Sequence, residues 1–132
     1  MNKLNLMAAC RDETALAGII SELKSNKRLT LTMVDSMEEG VRKLKEEQYD
    51  VVFAAEDLAD TTGLEFISRI VEINPFINTA LVSSLSSEDF HEATEGLGVF
   101  MQLPVNPDPE SARQMLNLLN KIYQLEETGT EE

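Results

Sequence analysis

Few side chains in this sequence stand where they could do chemistry, and most of those that do are acids. Asp12 and Glu13 follow one apolar run, and Glu56 and Asp57 follow another. Carboxylates gathered from two such places are what a hard divalent cation needs, because it takes oxygen ligands. Asp12 and Asp57 are the candidates for a metal, weighed against a helix cap for Asp12 and solvated loop charges for the rest. The sole cysteine, Cys10, sits near several acids that disfavour its thiolate, so it reads as an inert small residue and not as a redox centre. His91, the only histidine, lies among Glu88, Asp89, Glu92 and Glu95 with no Ser or Cys at a motif spacing, which is the pattern of a surface histidine. The stretch Ala9-Cys10-Arg11-Asp12 has no glycine and would present an acid to a phosphate, so it is not a phosphate-binding loop. No residue set here calls for a cofactor.

The remaining composition narrows the partners. With 24 acidic against 11 basic side chains and a formal charge of -13, a phosphate backbone or an anionic membrane would be repelled, so neither nucleic acid nor membrane is an expected partner. No apolar run approaches the roughly 20 residues that span a bilayer. A single cysteine makes no intramolecular disulfide, as expected in a reduced compartment, and the expected location is the cytoplasm. At 132 residues the chain suits one domain, taken as residues 1–127, with an acidic tail over 128–132 that lacks an apolar anchor and is expected to be disordered.

The elements that must position these residues alternate. Five apolar runs, 4–9, 29–34, 51–55, 79–83 and 99–103, are each followed by a segment of helical period. That alternation predicts parallel strands joined by crossover helices, and the all-apolar Val51-Val52-Phe53-Ala54-Ala55 belongs in the middle of the sheet. Ser36 with Glu39, and Thr62 with Glu65, are capping boxes; Asp108 before Pro109 starts the last helix, Asp12 the first, and Ser86 or Ser87 the fourth. Asn74-Pro75 ends the third helix, and Gly96 and Gly98 end the fourth. Met115, Leu118, Leu119, Ile122 and Tyr123 recur at helical spacing and are expected to bury one face. The expected fold is a three-layer αβα sandwich, (βα)5, whose doubly wound five-stranded parallel sheet has the order 2-1-3-4-5. In such a sheet ligands gather at the carboxyl ends of the strands.

Residues Tyr49-Asp50-Val51-Val52-Phe53-Ala54-Ala55 with Gly63-Leu64-Glu65, and Glu95-Gly96, Phe100 and Leu103-Pro104, resemble the segments around the third and fifth strands of bacterial response-regulator receiver (CheY-like) domains. The resemblance spans residues 3 to 125 and implies a flavodoxin-like fold in two-component signal transduction. In receivers a phospho-accepting aspartate lies five residues after the position of Asp50 and eight before that of Gly63, and both spacings lead to Ala55. The family's acidic pair, which holds Mg²⁺, falls on Ala8-Ala9 or Ala9-Cys10, and its lysine falls on Leu103. Pro104 is retained, and the resemblance implies a cis Leu103-Pro104 bond. A hydroxyl remains at Ser83, with Ser84 as the alternative.

The resemblance thus implies a degenerate receiver without enzymatic phosphotransfer, acting by contact with an unidentified protein partner. The face implied is the fourth helix, fifth strand and fifth helix, carrying Glu88 and Glu92, Phe100, and Arg113 and Lys121. A homodimer across that face is one expectation, since its helices carry opposite charges. Two rivals stay open: phosphorylation of a displaced acid such as Asp57, and a small-molecule sensor that uses the vacated pocket.

Overall fold

The computed structural model describes residues 3–123, so the tail expected at 128–132 lies outside the described residues. Strands β1 (Leu4–Ala9), β2 (Leu29–Val34), β3 (Val51–Ala54), β4 (Asn78–Val82) and β5 (Val99–Leu103) form one parallel sheet in the order β2-β1-β3-β4-β5. Helices α1 (Ala17–Lys24) and α5 (Pro109–Tyr123) pack on one face; α2 (Met37–Glu46), α3 (Gly63–Ile73) and α4 (Ser87–Ala93) pack on the other. This is the doubly wound three-layer fold that the alternation predicts.

Two cores lie above and below the sheet, and strand periodicity sorts residues between them. Val51, Phe53 and Ala55 join the core under α1 and α5, whereas Val52 and Ala54 join the one under α2, α3 and α4. In β1 the same alternation sends Ala8 and Cys10 to the first core and Ala9 to the second. Every β3 residue is buried, as a central strand covered on both faces requires. Two strands stop one residue earlier than the apolar runs suggest, so Ala55 and Ser83 are the first residues of the loops after β3 and β4.

The predicted caps form. Ser36 Oγ accepts from Glu39 N at 3.1 Å, Thr62 Oγ1 from Glu65 N at 3.1 Å, Ser86 Oγ from Asp89 N at 3.1 Å and Asp108 Oδ1 from Ser111 N at 3.0 Å. Each satisfies an N–H that the first helical turn leaves without a partner. Asp12 caps as expected, but what it opens is a 3-10 turn over Glu13–Leu16 that leads into α1. The helix predicted to include Glu95 stops at Ala93, and the chain leaves through Gly96 and Gly98, both with positive φ at 87° and 72°.

Two predicted core residues fall short, because Leu118 is only half-buried and outside both cores and Ile122 faces outward. Ile122 is 45% exposed, whereas Met115 and Leu119 are fully buried. Gly18 of α1 lies against Pro107 and Asp108, so α1 and α5 start side by side, but α1 has eight residues and α5 fifteen. The last turns of α5 therefore run beyond the end of α1. Tyr123 holds that end: its hydroxyl accepts from Asn78 Nδ2 at 2.7 Å and donates to the Asp50 carbonyl at 3.3 Å.

Candidate functional site

The carboxyl edge of the sheet is closed by main-chain bonds before any side chain acts. Ala55 N donates to Ala9 O at 2.8 Å, Cys10 N to Val34 O at 3.1 Å and Ser83 N to Leu103 O at 3.0 Å, so these residues meet in one row. Apart from Ser83, that row is apolar and buried: Ala9 and Leu103 have no exposed surface, and Cys10 and Ala55 are 2% and 5% exposed. Leu103 packs into the same core as Ala8, Cys10, Ala55 and Val82. Burial, with Glu13, Asp12 and Asp35 adding repulsion, pushes the Cys10 thiol up to about 11, which keeps it protonated at neutral pH.

Above this floor is a small cleft of about 220 Å³, lined by Ala55 and ringed by Arg11, Asp12, Glu56, Asp57, Val105 and Asn106. The structure thus brings the two weak metal candidates, Asp12 and Asp57, to one cleft. Asp12 is already engaged as a cap, with Thr14 N donating to Oδ1 at 3.0 Å, and this bond holds its carboxyl below the usual carboxylate range. Among the described residues no three His, Cys, Asp or Glu side chains are grouped to hold a metal ion. Asp57 is pinned through its backbone, whose carbonyl accepts from Arg11 N at 3.1 Å and which bridges to Thr62. The Arg11 side chain, the cation at this edge, donates from Nε to Leu58 O at 3.4 Å.

Glu56 and Asp57 separate this cleft from a second one of about 320 Å³, which reaches over Ser83, Ser84 and Leu85 to Thr94. Glu56 spans the partition. Its carbonyl accepts from Gly63 N at 2.8 Å, and its carboxylate accepts from Ser84 N at 2.6 Å. Gly63 must lack a side chain, since an added Cβ would run into the Ala55 carbonyl. The Ser83 hydroxyl accepts from Leu85 N at 3.1 Å, and the Gln102 amide donates to Leu85 O at 2.9 Å and Ser83 O at 3.3 Å. Sequence reasoning missed Glu56 and Gln102 in these positions, because the groups they bind are main-chain atoms brought near by the β3–β4–β5 order.

The Leu103–Pro104 bond corrects an expectation: no peptide bond among the described residues is cis, so this one is trans, and Pro104 is exposed. Trans is the lower-energy form of such bonds by about 0.5–1 kcal/mol. The turn that follows uses Asn106 at φ 56°, a left-handed conformation that Asn tolerates better than most residues.

On the other candidate face, Glu88 and Glu92 are exposed on α4, and Arg113 and Lys121 are exposed on α5. Edge strand β5 runs between the two helices, which lie on opposite faces of the sheet. Arg113 pairs with Glu110 of its own helix at 2.9 Å, an exposed i,i+3 pair of small energetic weight. Phe100 is half-buried and packs against the core under α1 and α5. His91 is exposed at a shallow cleft of about 480 Å³ between α4 and the start of β5.

No family model matches the sequence, and no curated protein matches it. Solved structures do. The Salmonella typhimurium response regulator RcsB, described for its conformational dynamism in DNA interaction, superposes with a TM-score of 0.78 at 16% identity over 92% of this chain and 61% of its own. This chain thus spans about three fifths of that regulator. The receiver domain of the stress response regulator RcsB from Escherichia coli gives 0.78 at 15% identity, covering 91% of this chain and 95% of its own. The chemotaxis response regulator CheY4 of Vibrio cholerae gives 0.76 at 14% identity, covering 89% and 98%. With the strand order, the two-sided helical cover and these superpositions in agreement, the chain has the receiver fold of response regulators.

Proposed function

We propose that this chain is a cytoplasmic two-component signalling module that works through protein contact and is not itself phosphorylated. The observation that carries the reading is the buried floor of the strand edge, where Ala55 and Leu103 supply neither a nucleophile nor a cation. Phosphoryl transfer depends on a positioned nucleophile and on charge stabilisation of the transferred group. Arg11 is the cation at the cleft, and the nearby acids surround a space with an alanine at its base. The vacated cleft, at about 220 Å³, is smaller than the roughly 300 Å³ at which ligand pockets usually begin. The space directly over Ala55 is thus small for a ligand, and a small-molecule sensor would have to use the adjoining cleft of about 320 Å³ over Ser83.

The contact surface in this reading is α4, β5 and α5, where acids on α4 and bases on α5 flank the half-buried Phe100. A second copy related by a two-fold axis would set the acids of one helix against the bases of the other. A heterologous protein would use the same exposed side chains.

Incubation with Mg²⁺ and acetyl phosphate, followed by intact-mass measurement, tests the chemical half. The expected result is an unmodified chain. A labile phosphoryl adduct that disappears in Asp57→Asn would overturn it in favour of a displaced acceptor. For the contact half, affinity capture and sedimentation are run beside the double variant Glu88→Lys/Glu92→Lys. Self-association or a captured protein should be lost in the variant; retention of both at full strength would remove α4 from the proposal.

A further inference from the structure

The loop from β4 to α4 is short and exposed from Ser84 onward, yet it is bonded at almost every peptide group. Ser83 N is bound by Leu103 O, and Ser83 O by Gln102. Ser84 N donates to Glu56, Leu85 N to the Ser83 hydroxyl, and Leu85 O accepts from Gln102. One residue further on, Ser86 caps α4. Exposed loops usually leave such groups to water. Here two side chains from neighbouring strands take them, Glu56 from the β3 side and Gln102 from β5.

The Glu56 bond is the strongest of the set on physical grounds. A carboxylate accepting a backbone N–H is a charge-assisted bond, about twice as strong as a neutral one, and 2.6 Å is short for it. Its two ends are 28 residues apart in sequence, so it ties the α3 entrance to the α4 entrance. The base of the strut is also fixed, because the Glu56 carbonyl is held by Gly63 at the first position of α3.

We infer that Glu56 is a positioning residue for the contact face. With Gln102 it clamps the β4–α4 loop, so that Leu85, 45% exposed, points outward and α4 begins after its Ser86 cap in a single geometry. The acid next to Ala55 thus does conformational work where chemistry is absent. An internal carboxylate accepts from the Ser84 N–H, the group that an added anion would otherwise reach. This rests on the reading of α4 as a contact surface.

Amide hydrogen exchange and line widths, measured by NMR on the free full-length chain, test the clamp without needing a partner. In Glu56→Ala, exchange at Ser84 should quicken about tenfold, with broadening at Leu85 and the first turn of α4. Amides of Val52 and Phe53 and the thermal midpoint should stay as in the parent. Glu56→Gln, which keeps an uncharged acceptor, should fall between the two, and Gln102→Leu should loosen the loop from the other side. Unchanged Ser84 exchange in Glu56→Ala would overturn the inference, as would loosening that reaches the β3 amides equally. Failure of the contact reading would instead show as capture unaffected by Glu88→Lys/Glu92→Lys, whatever the exchange rates.

Discussion

The buried row at the carboxyl edge of the sheet and the polar bonds beside it are built by opposite means. The row, Cys10, Ala55 and Leu103, is closed by apolar packing and is nearly solvent-free. The brace, Glu56, Ser84 and Gln102, is held by polar bonds to main-chain atoms in partly exposed surroundings. Ala55 and Glu56 are adjacent in sequence, yet one belongs to a core and the other to a bracing network. A strand end turns its side chain toward a core or a cleft according to parity, and the next residue is free to reach sideways. The same edge can therefore carry a buried apolar side chain at one residue and a bracing acid at the next.

The comparison breaks most readily at Leu103. Leu103→Lys would place an ammonium where no surface is exposed, without an acid at Ala55 to receive it, and should cost about 3 kcal/mol or more in urea unfolding. A loss under about 1 kcal/mol would mean that the floor admits water or that the lysine escapes to the surface. Gly63→Ala tests the hinge between the buried row and the brace, because its Cβ would collide with the Ala55 carbonyl while Gly63 N still holds Glu56. Its expected cost is about 2–3 kcal/mol, and a neutral outcome would show that the loop shifts freely.

The smallest effect is expected from the thiol. The Cys10 pKa is raised in the fold from 9.0 to about 11, so the native state holds its proton where the unfolded chain has lost it. The stability this provides is complete below pH 9 and falls away as pH rises toward 11. Cys10→Ala should flatten the first part of the alkaline decline in thermal midpoint. The rest should remain, because Tyr49 and Tyr123 are raised in the same direction from 10.0. A decline of identical shape in both chains would place Cys10 in a wetter site.

What was legible in the sequence was local or periodic. Alternating apolar runs located five strands to within a residue, and caps at Ser36, Thr62, Ser86 and Asp108 emerged because each acts within three residues of itself. What escaped was long-range. Asp60 accepts from Met37 N at 2.8 Å and Glu38 N at 3.2 Å, capping α2 from a distant loop, and those bonds lower its carboxyl below the usual range. Ile122 fits the helical period, but its exposure depends on where a different helix ends. Of the strand edge, the apolar character of Ala55 and Leu103 could be read from the runs that they end, whereas the bracing bonds of Glu56 and Gln102 could not.

The bond from Ser84 to Glu56 has a consequence for heredity. Its donor is a main-chain group, so almost any amino acid at position 84 would supply it, and mutation there would drift unnoticed. The constraint falls wholly on the acceptor at 56 and on the amide at 102. Descendants of this chain that keep the brace should hold an acid and an amide at those two places while 84 varies, and a search for paired substitutions between 56 and 84 would find none.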